Sequence, residues 1–218
     1  MNVLSWALYA EGETDRDYLG TLLPRIIEDV AFASERGSEA MVPEQPAAIF
    51  GRRERAFDRA AQEICAAREA FVLLFVHGDT GGRGQQTTLD RRTAGLCRMA
   101  HDTCGLSPER CIVVAPRQAT EAWCLADPNA LRSALQLRPD HEFPELSMAP
   151  RGVEQMTDPK ATAQSIILSL LRGRRRRPPR FPYTMVAQQQ RLDVLRALTA
   201  VEDLYQSVRR ALVTIGYR

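Results

Sequence analysis

Hydrophobic positions follow two periods along the first 137 residues. Segments 4–10 (LSWALYA), 71–77 (FVLLFVH) and 111–116 (CIVVAP) are short, nearly unbroken apolar runs. Runs of this length, bounded by polar turns, read as strands of a parallel sheet covered on both faces. Elsewhere the period lengthens. Tyr18, Leu19, Leu22, Leu23, Ile26, Ile27 and Val30 recur at steps of three and four, giving a helix from Asp15 onward one apolar face. Thr14 is placed to cap that helix, with Asp17 three residues on in a weak capping box. Pro24 is expected to kink or restart it. Residues 53–69 carry Phe57, Ala60, Ala61, Ile64 and Cys65 on one helical face, 88–103 make another helix, and TEAWCLAD (120–127) opens a short one. Residues 41–50, MVPEQPAAIF, are a weak strand demoted by two prolines.

This alternation predicts an α/β fold over residues 1–137, a mainly parallel sheet flanked by helices. The character changes after residue 137. LRPDHEFPELSMAPRG is proline-rich and irregular, 159–172 are helical, and GRRRRPPRFP reads as a loop. Residues 189–215 form one long amphipathic helix through Leu192, Leu195, Leu198, Tyr205, Val208 and Leu212. Residues 138–218 are thus a helical C-terminal extension, either a separate annex or packed on the same core.

Composition narrows the class. A chain of 218 residues, 44% hydrophobic, can bury a substantial core. The charge is nearly balanced, 29 Lys plus Arg against 27 Asp plus Glu, and so argues neither for nor against a polyanionic partner. Lys160 is the only lysine; the other basic residues are arginines, which suit bidentate phosphate contacts. Five cysteines, an odd number without a CxxC pair, do not read as a disulfide framework. MNVLSWALYA lacks the basic start of a signal peptide, and no apolar run reaches the roughly 20 residues of a membrane span, so a cytoplasmic protein without a membrane partner is expected.

Candidate chemistry follows from strand ends. Parallel sheets bind ligands beyond the carboxyl ends of their strands. Glu11 follows the first strand, His77 and Asp79 close the third, and Glu121 follows the fourth. Carboxylates brought together at such a rim repel unless a cation neutralises them, and hard oxygen ligands suit Mg²⁺ or Mn²⁺. Asp127, six residues beyond Glu121, lies about 240° away on an ideal helix; capping a second helix at Pro128 is the preferred reading. Glu13 and Asp15 are assigned to the helix dipole or to solvent. Arg83 and Arg117 are weaker candidates for gripping phosphate, as is the run GRRRRPPR (173–180). Trp123 reads as core. Cys97, His101, Cys104 and Cys111 match no common zinc spacing, and the Walker pattern of a phosphate-binding loop is missing from the sequence.

A glutamate ending one strand and a D-x-D motif ending a later one is the pattern of TOPRIM domains, found in topoisomerases, primases and a group of nucleases. EGETD (11–15), HGDTGG (77–82), TEAWCLAD (120–127) and the late Asp158-Pro159-Lys160 together resemble a bacterial TOPRIM-like family of unknown function, domain family 4276. The resemblance covers most of the chain. It implies a divalent-metal-dependent phosphodiesterase, a DNA or RNA nuclease of bacterial defence working with a separately encoded ATPase. Glu11 would be a metal ligand or general base, Asp79 a metal ligand, and Glu121 a further ligand or the holder of a metal-bound water. Gly12 and Gly78 would let the backbone turn sharply beside them. His77 stands where the pattern has Asp. It shifts the preference toward Mn²⁺ or Zn²⁺, handles a proton, or marks a catalytically inactive module that only binds protein or nucleic acid.

Overall fold

The computed structural model describes residues 2–33, 40–51, 57–81, 93–170 and 180–217. Four strands form the main sheet: β2 (Trp6–Ala10), β4 (Ala48–Gly51), β5 (Leu73–His77) and β6 (Cys111–Val114). Their order is β4-β2-β5-β6, and every pairing is parallel. The chain leaves β2 for β4 on one side and then returns for β5 on the other, so the order reverses between β2 and β5. Two-residue strands β1 (Asn2–Val3) and β3 (Ala40–Met41) pair separately, also in parallel.

Side-chain alternation sorts the strands onto two cores. Trp6, Leu8 and Ala10 of β2, Leu73 and Phe75 of β5, and Ile112 and Val114 of β6 join the larger core, with helices α1 (Glu13–Phe32) and α9 (Thr199–Thr214). Ala7 and Tyr9, Leu74 and Val76, and Cys111 face α2 (Phe57–Ala66) and α3 (Ala94–Cys104) in a smaller one. Every residue of β2 and β5 is buried, which explains why these strands read as unbroken apolar runs. The fold is the expected α/β arrangement, a parallel sheet flanked by helices. The larger core also contains Val153, Ala163 and Ile166, Val186 and Ala187, and Leu195 and Leu198, so residues beyond 137 pack on the same sheet.

The remaining helices are α4 (Thr120–Cys124), α5 (Pro128–Ala134), α6 (Pro159–Leu170), α7 (Tyr183–Gln189) and α8 (Leu192–Leu195). Asp127 caps α5, accepting from the backbone N–H groups of Asn129 and Ala130, with Pro128 at the first helical position. Arg25 and Tyr18 of α1 tie down the end of α7: Arg25 donates to the carbonyls of Ala187 and Gln190, and the Tyr18 hydroxyl donates to Gln190 at 2.6 Å.

Several expectations need correction. α1 starts at Glu13, not after a Thr14 cap; Gly12 is the N-cap residue, and its N–H donates to Asp15 Oδ2 at 3.1 Å. Pro24 does not interrupt α1, whose apolar face is buried on both sides of it, at Leu22, Leu23, Ile26 and Ile27. The weak strand at 41–50 divides into β3 and β4, with both prolines between them. The long helix expected over 189–215 is broken. Leu198 is extended, and Glu154 accepts from the N–H groups of Thr199 and Ala200, each at 3.0 Å, starting α9 with a cap from a remote segment. Finally, four of the five cysteines pair, Cys65 with Cys104 and Cys97 with Cys111; Cys124 is free and buried. The pairs join α2 to α3 and α3 to β6. Only the fold brings these partners together, so spacing within the chain did not reveal them.

Candidate metal centre

The strand order reverses between β2 and β5, and the carboxyl edge of the sheet at such a reversal is the usual ligand position in open α/β folds. His77 is the last residue of β5 and shares its parity with Leu73 and Phe75, which places it on the α1 side. The first turn of α1 brings Asp15 to meet it. Asp79 follows two residues after His77, held by a loop zipped to the segment after β6. There the Thr80 N–H donates to the Pro116 carbonyl at 3.4 Å, its hydroxyl to the same carbonyl at 2.9 Å, and the Gly81 N–H to Gln118 at 3.0 Å.

Asp15, His77 and Asp79 each offer a ligand atom within 4.8 Å of the others, the one such group among the described residues. Thr120, at the start of α4, links them. Its hydroxyl donates to Asp15 Oδ1 at 2.8 Å and lies 3.0 Å from His77 Nε2, while its N–H donates to Asp79 Oδ1 at 3.1 Å. With the hydroxyl proton directed at Asp15, Nε2 of His77 is the donor to Thr120, and Nδ1 carries a lone pair. Nδ1 is buried, has no hydrogen-bond partner and lies 3.8 Å from Asp15 Oδ2. A lone pair facing a carboxylate calls for a proton or a cation between them.

The residues fit a divalent cation. Ligands at 2.0–2.6 Å from one ion lie up to about 4–5 Å apart, which matches the observed spread at its outer limit. One imidazole nitrogen with two carboxylates favours Mn²⁺ or another first-row ion over Mg²⁺.

Beyond Asp79, the ammonium of Lys160 in α6 donates to Asp79 Oδ2 at 3.2 Å and lies 4.0 Å from Glu121 Oε2. Burial raises the Asp79 carboxyl, but His77, whose Nε2 lies 3.4 Å from Oδ1, and the Lys160 ammonium outweigh it, and its pKa is lowered. Burial disfavours the charged form of Lys160, yet Asp79 and Glu121 reverse this and raise its pKa. Glu121 differs: burial dominates and raises its pKa, although the Tyr183 hydroxyl donates to Oε1 at 2.8 Å. Oε2 of Glu121 is buried and has no hydrogen-bond partner. Tyr183 in turn is pushed up by its own burial and by the Glu121 charge.

The structure thus brings together His77 and Asp79, with Glu121 one lysine away. Glu11 is not in the gathered group. β2 ends at Ala10 and Glu11 lies in the bend before α1, whereas the first turn of α1 delivers Asp15 to His77. Arg117 stands apart, with Nε 3.9 Å from Glu154 Oε2. Arg83 and residues 173–179 lie outside the described residues; Arg180, the last of the arginine run, is exposed, with Nη1 3.6 Å from Glu13 Oε2. Trp123 is fully buried. The expected zinc-unlike reading of the cysteine cluster is answered by the two disulfides, with His101 Nδ1 3.1 Å from the Leu106 carbonyl.

Sequence reasoning missed Asp15, Thr120, Lys160 and Tyr183 as parts of this site. Lys160 did carry a signal: in a chain with a single lysine, that lysine sits beside the buried carboxylates. The two glycines serve spacing, since neither lies in the left-handed region. A Cβ on Gly12 would come within 2.9 Å of Asp15 Oδ2, and one on Gly78 within 2.9 Å of Thr93 Cγ2.

Compared with protein-family models, curated proteins and solved structures, the chain has no match. The TOPRIM resemblance therefore rests on its motifs. Among the described residues, no helix is long and apolar enough to cross a membrane.

Proposed function

We propose that the chain is a divalent-metal-dependent phosphodiesterase acting on DNA or RNA. The observation that carries this reading is the Asp15–His77–Asp79 group at the point where strand order reverses, with a buried, unpartnered His77 nitrogen at its centre. Asp15, His77 and Asp79 would hold the ion, with Mn²⁺ preferred over Mg²⁺. Such an ion supplies charge neutralisation at the phosphate and acidifies bound water. Lys160 keeps its proton and balances negative charge developing on the phosphate. Thr120 fixes the tautomer of His77 and the rotamer of Asp15 together. When water attacks phosphorus and the P–O bond to the leaving group breaks, the Asp15 carboxylate can accept the proton of the attacking water, since the Nδ1 lone pair of His77 would be taken by the ion.

The resemblance gives Glu11 the ligand role; we assign it instead to Asp15, whose Oδ2 lies 3.8 Å from His77 Nδ1. Cleavage of single- and double-stranded DNA and RNA in Mn²⁺ tests the reading. Asp79→Asn and Asp15→Asn should each lower the rate by about a hundredfold or more, the scale of removing a preorganised charge-stabilising group. Full activity in both variants refutes the site. The resemblance also supplies an ATPase partner and a cytoplasmic location as parts of the proposal; co-purification checks the first. The second requires the two cysteine pairs to persist in a reducing compartment, where disulfides are uncommon.

One observation favours a second reading, a binding module without catalysis. The Lys160 ammonium already sits on Asp79, so an internal cation relieves part of the crowding that a metal would relieve. Mn²⁺ binding to the Lys160→Ala variant but not to the parent would support that reading.

A further inference from the structure

A cleft of about 700 Å³ opens beside the cluster, between the start of α1, α6 and residues 180–185. Glu121 and Lys160 belong to it as well as to the neighbourhood of Asp79. Its walls are apolar: Ala163, Ile167 and Leu168 of α6 on one side, and Phe181 with Tyr183 on the other. The two aromatic rings lie with centroids 4.9 Å apart. Glu13 and Asp17 stand on its rim, and Arg180 is paired with Glu13 there.

We infer that this cleft holds the base of a single unpaired nucleotide whose phosphate lies at the Asp15–His77–Asp79 group; the inference rests on the phosphodiesterase reading above. Three observations support it. The Glu121 side chain is only 5% exposed, Glu121 lines the cleft, and its Oε2 has no hydrogen-bond partner. A buried acceptor of this kind costs stability unless a ligand donor completes it, and every nucleobase offers an N–H on its pairing edge. The walls present aliphatic and aromatic surface suited to the flat face of a base. Among the described residues, the rim carboxylates Glu13 and Asp17 repel a phosphodiester backbone lying across the mouth, with Arg180 offsetting Glu13, so the Lys160 end is the more favourable place for negative charge. A paired duplex meets none of these conditions, because its bases are stacked and their pairing edges are occupied. The volume lies within the range of about 300–1,000 Å³ typical of small-molecule sites, enough for one nucleotide.

Calorimetric titrations in Mn²⁺ compare nucleoside 5′-monophosphates with ribose 5-phosphate, and a single-stranded oligonucleotide with its duplex. The nucleotides should bind about tenfold or more tightly than ribose 5-phosphate, and the single strand more tightly than the duplex. Glu121→Gln, which presents an amide instead of the second carboxylate oxygen, should reduce the nucleotide advantage to about threefold or less; because the advantage is a ratio to ribose 5-phosphate, any effect of Glu121 on Lys160 and the shared phosphate cancels. Leu168→Trp, at a half-exposed position where the fold tolerates size, should narrow the cleft with the same result. Equal affinity for nucleotide and ribose 5-phosphate overturns the cleft assignment alone. Ribose 5-phosphate binding that ignores Mn²⁺ overturns the cation reading, and no binding of any compound overturns both.

Discussion

On one face of the sheet, Trp6, Leu8, Phe75 and Ile112 are covered by α1 and α9, in a core that runs on into residues beyond 137. On the other, among the described residues, Tyr9, Leu74 and Val76 meet α2, α3 and their flanking segments, and that layer is stitched by both disulfides. The two faces are therefore stabilised differently, one by volume of apolar packing and the other by a thinner core with covalent ties. The candidate site belongs to the deep face. Asp15 comes from α1, His77 has the parity of Phe75, Thr120 and Glu121 come from α4, and Lys160 from α6. Polar groups held within a few tenths of an ångström need such rigid support, whereas the stapled face can change without displacing them.

Core truncation should break this contrast most strongly. Phe75→Ala is expected to cost about 3–5 kcal/mol and to weaken Mn²⁺ binding with it. Leu74→Ala, equally buried on the thin face, should fall toward the low end of about 2–5 kcal/mol and leave the ion affinity unchanged. Urea denaturation gives the first quantity and calorimetry the second; a Leu74 variant that loses the ion while Phe75→Ala keeps it would reverse the assignment of faces.

Next in size are the cysteine pairs. They span 39 and 14 residues, and in the chain-entropy view each contributes up to about 3–4 kcal/mol. Reduction should lower the melting temperature clearly and leave Mn²⁺ affinity alone. Thiol titration of the oxidised chain in denaturant should find one reactive group, Cys124, and all five after reduction. Five thiols before reduction would mean that packing alone holds the thin face.

A smaller effect is expected at Gly12. Its alanine variant pushes a methyl against Asp15 Oδ2 and strains the bond from the Gly12 N–H, at a cost of about 1 kcal/mol, the usual worth of one hydrogen bond. The loss of ion affinity should exceed that seen with Gly20→Ala, where a Cβ meets nothing within 4 Å.

The smallest changes are those with pH, and within the deep face they have opposite signs. Asp79 is depressed in the fold, so its contribution is present above the ordinary carboxylate value near 4 and is lost as pH falls through the lower folded value. Glu121 is raised, so the stability linked to its protonated form is present below the ordinary value and disappears as pH rises through the folded one. Without metal, Asp79→Asn should flatten the acid limb of stability, while Glu121→Gln should raise the unfolding midpoint at pH 7 but not at pH 4. Identical pH profiles for both variants would contradict the opposed environments.

The architecture was legible because period-two and period-3.6 hydrophobicity survive in a buried parallel sheet; β2 and β5 announce themselves as WALYA and LLFVH. His77 and Asp79 were legible because a strand end is a fixed position. Asp15 was not. A carboxylate in the first turn of a helix looks the same whether it serves the dipole, accepts from Gly12 or faces a histidine 62 residues away, and only packing of α1 on the sheet decides between them. Glu11 had the motif, and it lies in the bend between β2 and α1, outside the Asp15–His77–Asp79 group. The same limit hid the Glu154 cap, the cysteine partners and the contact of Lys160 with Asp79, each joining segments far apart in the chain.

Titration of Mn²⁺ into the parent protein, Asp15→Asn and Glu11→Gln, followed by calorimetry, tests the central claim most directly. The account predicts one ion per chain, an affinity about tenfold or more weaker for Asp15→Asn, and a change within about twofold for Glu11→Gln. No saturable binding by the parent, or the loss falling on Glu11 instead of Asp15, would contradict it.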